Sequence, residues 1–177
     1  MYNLISNKRI IWLNGAFGVG KTTIAELLQQ KIDNSIIFDP ELTGSMLNKI
    51  YPIEIKQKDF QDYVEWRSIN NLILNNLINS TNKTIIIPMT ILNIDYYFEI
   101  TKGIPKDYIK SYLLIANEAT LKDRLNNRME NDTWPYEQIA KCVTVFKDLE
   151  FGTKINTDDN SIDNILNYIF KTKDISL

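Results

Sequence analysis

Apolar positions along the chain switch repeatedly between two spacings. Ile10-Ile11-Trp12-Leu13 is a short unbroken apolar run, the pattern of a strand covered on both faces, and Ile24, Leu27 and Leu28 then recur at helical spacing from there toward Lys31. Asp33-Asn34 marks a turn, Ser35-Ile36-Ile37-Phe38 reads as a second strand, and Asp39-Pro40-Glu41 has the composition of a helix start. Residues 41–58 are polar and irregular, with Gly44 and Pro52 as breakers. The spacing next predicts a long helix capped by Asp59, on which Tyr63, Trp66, Ile69, Ile73 and Leu77 share a face. Thr84-Ile85-Ile86-Ile87 predicts a third strand closed by Pro88. A short helix from Asn93 to Lys102 ends at Gly103, and Tyr108 to Ile115 gives a fourth strand. Asn117 caps a helix through Met129, and another starts at Pro135 with Ile139, Val143 and Phe146 inward. Thr153 to Thr157 is a fifth strand, and Ile162, Ile165, Leu166, Ile169 and Phe170 stripe a last helix. Five alternations of strand and helix predict an α/β fold of three layers, α/β/α, around a five-stranded, mainly parallel sheet.

Length and composition add bounds to this picture. A chain of 177 residues suits one domain with a full core, and 44% hydrophobic with 24% charged residues is ordinary for a soluble globular protein. The net charge of −2 gives no overall field for nucleic acid or an anionic membrane. Cys142 is the single cysteine, so an internal disulfide is excluded. The chain has no histidine, which removes imidazole bases, histidine triads and ordinary zinc sites and leaves proton transfer to a carboxylate or lysine. The first nine residues lack the apolar core of a signal peptide, and no apolar run approaches a membrane span, so a cytoplasmic location is expected.

The candidate chemistry starts between the first strand and the first helix. Gly15-Ala16-Phe17-Gly18-Val19-Gly20-Lys21-Thr22 fits G-x-x-x-x-G-K-[ST], with Thr23 following. A chain that wraps a triphosphate must turn backbone N–H groups inward, which glycines allow, and the lysine adds a cation for the outer phosphates. The Thr22 hydroxyl sits where a Mg²⁺ ligand is needed, and the helix N-terminus faces the anion. Strand, glycine loop and helix together mark residues 15–23 as a nucleotide site. Asp39 ends the second strand beside that loop. It can cap the next helix, face a ligand, or do both. The long connection over 41–80 suggests a substrate-binding flap. On its helix, Trp66 reads first as core, while Arg67 is either a solvated charge or an anion contact. Arg124 and Arg128 share one helix face next to a polar, lid-type segment over 126–136. They are an exposed basic face or a pair that neutralises a transferring phosphoryl group. Strand three ends in Pro88-Met89-Thr90, with no acidic metal ligand, and Thr90 there is either a holder of a metal-bound water or a cap. The 157–160 turn reads as capping chemistry or as a border of the adenine.

Residues 11–22, Phe38-Asp39-Pro40-Glu41, the segment from Asp59-Phe60-Gln61 to Trp66-Arg67, and Ile87-Pro88-Met89-Thr90 resemble the ATP-binding tunicamycin-resistance proteins. The resemblance runs from about residue 9 to about residue 170. It implies a nucleoside-monophosphate-kinase-like fold with sheet order 2-3-1-4-5, ATP and Mg²⁺ at the loop, and a lid near Arg124 and Arg128. It further implies Asp39 in the place of the base that takes an acceptor hydroxyl proton, as in related phosphotransferases. The resulting expectation assigns Lys21, Asp39, Arg124 and Arg128 to catalysis, Thr22 and Asp39 to the metal, and Asp39, Glu41, Trp66 and Arg67 to the substrate. Three functions are consistent with it: a small-molecule phosphotransferase acting on a nucleoside antibiotic or nucleotide-sugar-like compound such as tunicamycin, an ATP-dependent protein that sequesters the antibiotic without chemistry, and a nucleotide kinase. A GTPase is disfavoured because no Asn-Lys-x-Asp segment occurs.

Overall fold

The computed structural model describes residues 9–127 and 133–173. Its centre is β1 (Ile10–Gly15), every residue of which is buried. Parallel pairing on one edge joins it to β3 (Thr84–Pro88), and on the other to β4 (Ile109–Ile115). Trp12 stands opposite Ile87 in one register and Ser111 in the other. β2 (Ser35–Ile37) lies outside β3, and β5 (Thr153–Asn156) outside β4, giving the order β2-β3-β1-β4-β5 with every pairing parallel. This is the order that the resemblance implied. Helices cover both faces, so β1 and β3 are buried along their whole length and carry unbroken apolar runs rather than alternating ones.

The connecting helices are α1 (Lys21–Lys31), α2 (Glu41–Ile50), α3 (Val64–Ser80), α4 (Ile94–Ile100), α5 (Glu118–Asn126), α6 (Trp134–Asp148) and α7 (Ile162–Lys173). Two of them differ from the sequence expectation. Residues 41–50 form a helix straight through Gly44, where a break was expected. Gly44 is buried there, and a Cβ on it would lie 2.5 Å from Cγ of Phe60, so its role is close packing rather than termination. Asp59 does not cap α3. Its Oδ1 accepts the Gln61 N–H at 3.0 Å and caps a short 3₁₀ turn, Phe60–Asp62, after which α3 begins at Val64. The Asn117 cap is as expected, with its side-chain oxygen accepting the Thr120 N–H at 2.9 Å. Met129 and the middle of the expected lid segment lie outside the described residues.

Candidate functional site

The loop joining β1 to α1 bends through two glycines that hold positive φ. Gly18 sits at φ +81°, and a Cβ there would come within 2.7 Å of the Leu121 carbonyl oxygen. Gly20 at φ +102° faces open space, so its constraint is conformational, not steric. The Lys21 ammonium folds back over the loop, donating to the carbonyls of Gly15 at 2.9 Å and Ala16 at 3.0 Å, with its charge 5.4 Å from the centre of the Phe17 ring. Thr22 and Thr23 are exposed in the first turn of α1, whose N-terminus, the positive end of the helix dipole, adjoins the loop.

Two side chains behind the loop fix its shape, and sequence reading did not single out the first. Asn14, fully buried at the end of β1, accepts from the N–H of Gly15 and of Ile91 and donates to the Ile91 carbonyl, each at 2.8 Å. Only its position between an apolar strand and a glycine loop hinted at such a role. Thr90, read from sequence as a holder of metal-bound water or a cap, is buried and donates its hydroxyl to the Gly15 carbonyl at 2.8 Å. It braces the loop.

Asp39, just past β2, turns one carboxylate oxygen to the Glu41 N–H at 2.9 Å and still lines the space in front of the loop. That space is a cleft of about 420 Å³ whose walls include Lys21, Thr22, Asp39, Glu41, Pro88 and Trp134. Glu26 of α1 also lines it and went unnoticed in the sequence, where it looked like one more exposed helical charge. Burial lifts the Glu41 carboxyl above its ordinary value. The neighbouring Asp39 charge adds to this, the Lys21 cation opposes it, and Asp59 contributes a smaller push upward. Burial likewise raises Asp59, against its hydrogen bond from the Gln61 N–H.

Two expected substrate contacts take other roles. Trp66 has no exposed surface, and its indole N–H donates to the Pro40 carbonyl at 2.9 Å. It anchors the Asp39-Pro40-Glu41 corner from behind and cannot touch a ligand in the cleft. Arg67 is buried as well. Its Nε bonds Glu99 at 2.6 Å, its Nη1 bonds the carbonyls of Gln61 at 2.6 Å and Tyr63 at 3.1 Å, and its guanidinium lies 4.2 Å from the Tyr96 ring centre. The fork that suited a phosphate is spent on holding the turn before α3 against α4.

On the other side of the loop, Arg124 reaches from α5 to Thr157. Its Nη1 donates to the Thr157 hydroxyl and its Nη2 to the Thr157 carbonyl, both at 2.9 Å, with Val19 O at 3.4 Å from Nη1. A second cleft, about 280 Å³, opens there between Gly18–Gly20, Thr23, Arg124, Asn127 and Asn160. The turn after β5 lines this cavity with Thr157 and Asn160, and within the turn Asp158 accepts the Asn117 N–H at 2.7 Å, a contact of the capping kind. Arg128 lies outside the described residues. Phe17 meets Trp134 edge-on at 5.1 Å, which seats the start of α6 against the loop.

Solved structures share this arrangement. A tunicamycin resistance protein from Deinococcus radiodurans matches with a TM-score of 0.74 at 23% identity, covering 96% of this chain and 98% of its own. A sugar kinase from a Janibacter species matches with 0.70 at 16% identity, covering 96% of each chain. This is a P-loop kinase-like fold. A gluconokinase from Sinorhizobium meliloti shares the P-loop kinase-like architecture more loosely, with a TM-score of 0.61 at 12% identity over 92% of this chain and 89% of its own. No protein-family model and no curated protein matches the sequence.

The side chains at the loop mouth suit a Mg²⁺–nucleotide. Among the described residues no group of three or more His, Cys, Asp or Glu is placed to hold a metal ion. Mg²⁺ does not require one, because it takes one or two protein oxygens and completes its shell with phosphate oxygens and water. Thr22 and Asp39 face the same cleft and supply such a pair.

Proposed function

We propose that the chain is an ATP- and Mg²⁺-dependent phosphotransferase acting on a hydroxyl of a small molecule, either a nucleoside antibiotic or a sugar-like acceptor. The observation that carries this reading is one cleft lined both by Lys21 and Thr22 and by Asp39 and Glu41. A phosphate-holding loop that shares a space of small-molecule size with carboxylates suits a donor and an acceptor held together. Residues 15–23 hold the donor phosphates through backbone N–H groups and the Lys21 ammonium. Thr22 and Asp39 would hold Mg²⁺, which when bound neutralises phosphate charge. Asp39 orients the acceptor hydroxyl and takes its proton, and Glu41 binds the acceptor beside it. Arg124 flanks the loop from the base side and steadies the donor. Arg128 is assigned with it to neutralising charge on the transferring group, with residues 126–136 as lid and 41–80 as flap.

A second reading, binding of an antibiotic with ATP but without transfer, draws support from Thr90. Thr90, two residues past β3, is an uncharged side chain tied to Gly15 rather than a carboxylate available to a metal. The name of the Deinococcus neighbour is compatible with either mode. The third reading, a nucleotide kinase, loses its natural phosphate-binding arginine because Arg67 is committed to Glu99 and two carbonyls.

Incubation with ATP, Mg²⁺ and tunicamycin, or with uridine and simple sugars, separates these readings by mass spectrometry. An acceptor heavier by one phosphoryl group is the expected result. Tight binding of unmodified tunicamycin would favour sequestration, and rapid ADP formation only with a nucleoside monophosphate would favour a nucleotide kinase.

A further inference from the structure

The charges around the acceptor side of the cleft are unbalanced. Glu26, Asp39 and Glu41 line it, and among its described walls Lys21 is the only cation. That cation is directed onto the loop carbonyls and the donor side. A fourth carboxylate stands behind these. The Phe60 ring sits against Gly44, which brings the turn beginning at Asp59 onto the first turns of α2, the helix that starts at Glu41. Lys141, exposed on α6, is not among the cleft walls. Arg67, in the first turn of α3, turns away to Glu99. With Asp39 given to Mg²⁺, an incoming phosphate or carboxylate would still meet Glu26 and Glu41, with Asp59 behind them, and no guanidinium fork among the described residues, whereas hydroxyls and ammonium groups find acceptors.

We propose that Asp59 and Glu41 set the charge selectivity of the acceptor half, so that the acceptor is a polyol carrying no anionic group, either neutral or aminated. The inference rests on the phosphotransferase reading above and adds Asp59 as a specificity-determining residue. Asp59 acts through its charge and through the position it gives the turn, not by touching the transferring group. A phosphorylated sugar or a nucleoside monophosphate is excluded even where its unphosphorylated form is accepted.

The test compares glucose, glucosamine and uridine with glucose 6-phosphate and uridine monophosphate. ADP release and direct binding are measured for each compound in the presence of ATP or a non-hydrolysable analogue. The expected result is kcat/KM at least about a hundredfold higher for the uncharged and aminated members, as several like charges around one acceptor imply. In Asp59→Asn, which keeps the hydrogen bond to the Gln61 N–H, the discrimination should narrow by about tenfold through KM for the phosphorylated members, with ATP affinity unchanged. Glu41→Gln should narrow it further. Equal or better use of the phosphorylated members overturns the inference while leaving the phosphotransferase reading intact. If ATP binds and nothing is phosphorylated, the phosphotransferase reading falls, and the binding data decide the inference. Preferential binding of the uncharged and aminated members supports it, and binding of none, or of the phosphorylated ones first, overturns it.

Discussion

Lys21 and Asn14 sit seven residues apart and do different work. The Lys21 ammonium spends its hydrogen bonds on two loop carbonyls, which a bound phosphate would compete for, so its value lies in a ligand rather than in the fold. Lys21→Ala should therefore weaken ATP binding by about a hundredfold or more, as loss of a charge-assisted contact implies, while the melting temperature stays within a few degrees. Calorimetric titration with ATP beside a thermal melt checks both halves. Asn14 behaves oppositely. It satisfies two backbone N–H groups and one carbonyl in a site with no exposure, so Asn14→Ala leaves three buried polar groups unpaired. A loss of about 3 kcal/mol in urea-derived stability is expected. Asn14→Asp should recover only part of it, because a carboxylate cannot donate to the Ile91 carbonyl.

The elements divide by how much of their cause is local. β1 and β3 were legible because strands covered on both faces must be apolar along their whole length, and Ile10-Ile11-Trp12-Leu13 and Ile85-Ile86-Ile87 are. The loop was legible because its glycines answer to backbone geometry alone. α2 was not, since its outward face carries Leu42, Met46 and Ile50, which blur the amphipathic pattern, and Gly44 reads as a breaker unless Phe60 is known to lie on it. The anchoring role of Trp66 and the ion pair of Arg67 were not legible for the same reason. Their partners Pro40 and Glu99 lie 26 and 32 residues away, and spacing along a helix says nothing of them. Gly44→Ala separates the two kinds of cause by sign. Helix propensity alone predicts a gain of about 1 kcal/mol. The Phe60 ring at 2.5 Å from the new methyl, itself packed 5.3 Å from Trp66, instead implies a loss of about 1–3 kcal/mol. Adding Phe60→Leu should restore part of the loss, and denaturant melts of the three variants measure it.

At the scale of the whole molecule, α6 closes the layer that joins loop, cleft and acceptor turn. Trp134 at its start meets Phe17 of the loop, the Tyr136 hydroxyl donates to Asn126 of α5 at 2.9 Å, and the buried Cys142 feels the charges of Lys21, Lys141 and Asp59. Cys142 thus reports whether this layer is seated. Burial pushes its thiol up from an ordinary 9 to about 11; Lys21 and Lys141 partly oppose the change, and Asp59 adds to it. The folded state holds the proton more tightly than the unfolded chain. The stability gained from the protonated thiol is therefore fully present below pH 9 and disappears as pH rises through about 11. A steeper alkaline loss of stability in the natural chain than in Cys142→Ala is expected, of up to roughly 3 kcal/mol across the interval from 9 to about 11. At neutral pH the same burial should keep Cys142 from reacting with a thiol reagent such as Ellman's reagent until the layer opens. If nucleotide binds the closed form alone, saturation at about a hundred times Kd should slow labelling by about a hundredfold, because opening must then work against the bound ligand. Labelling that is fast without denaturant would show that α6 does not cover the thiol. Labelling slow in both states but unmoved by ATP would show that the layer opens without disturbing the loop, and that Phe17 and Trp134 do not couple the two.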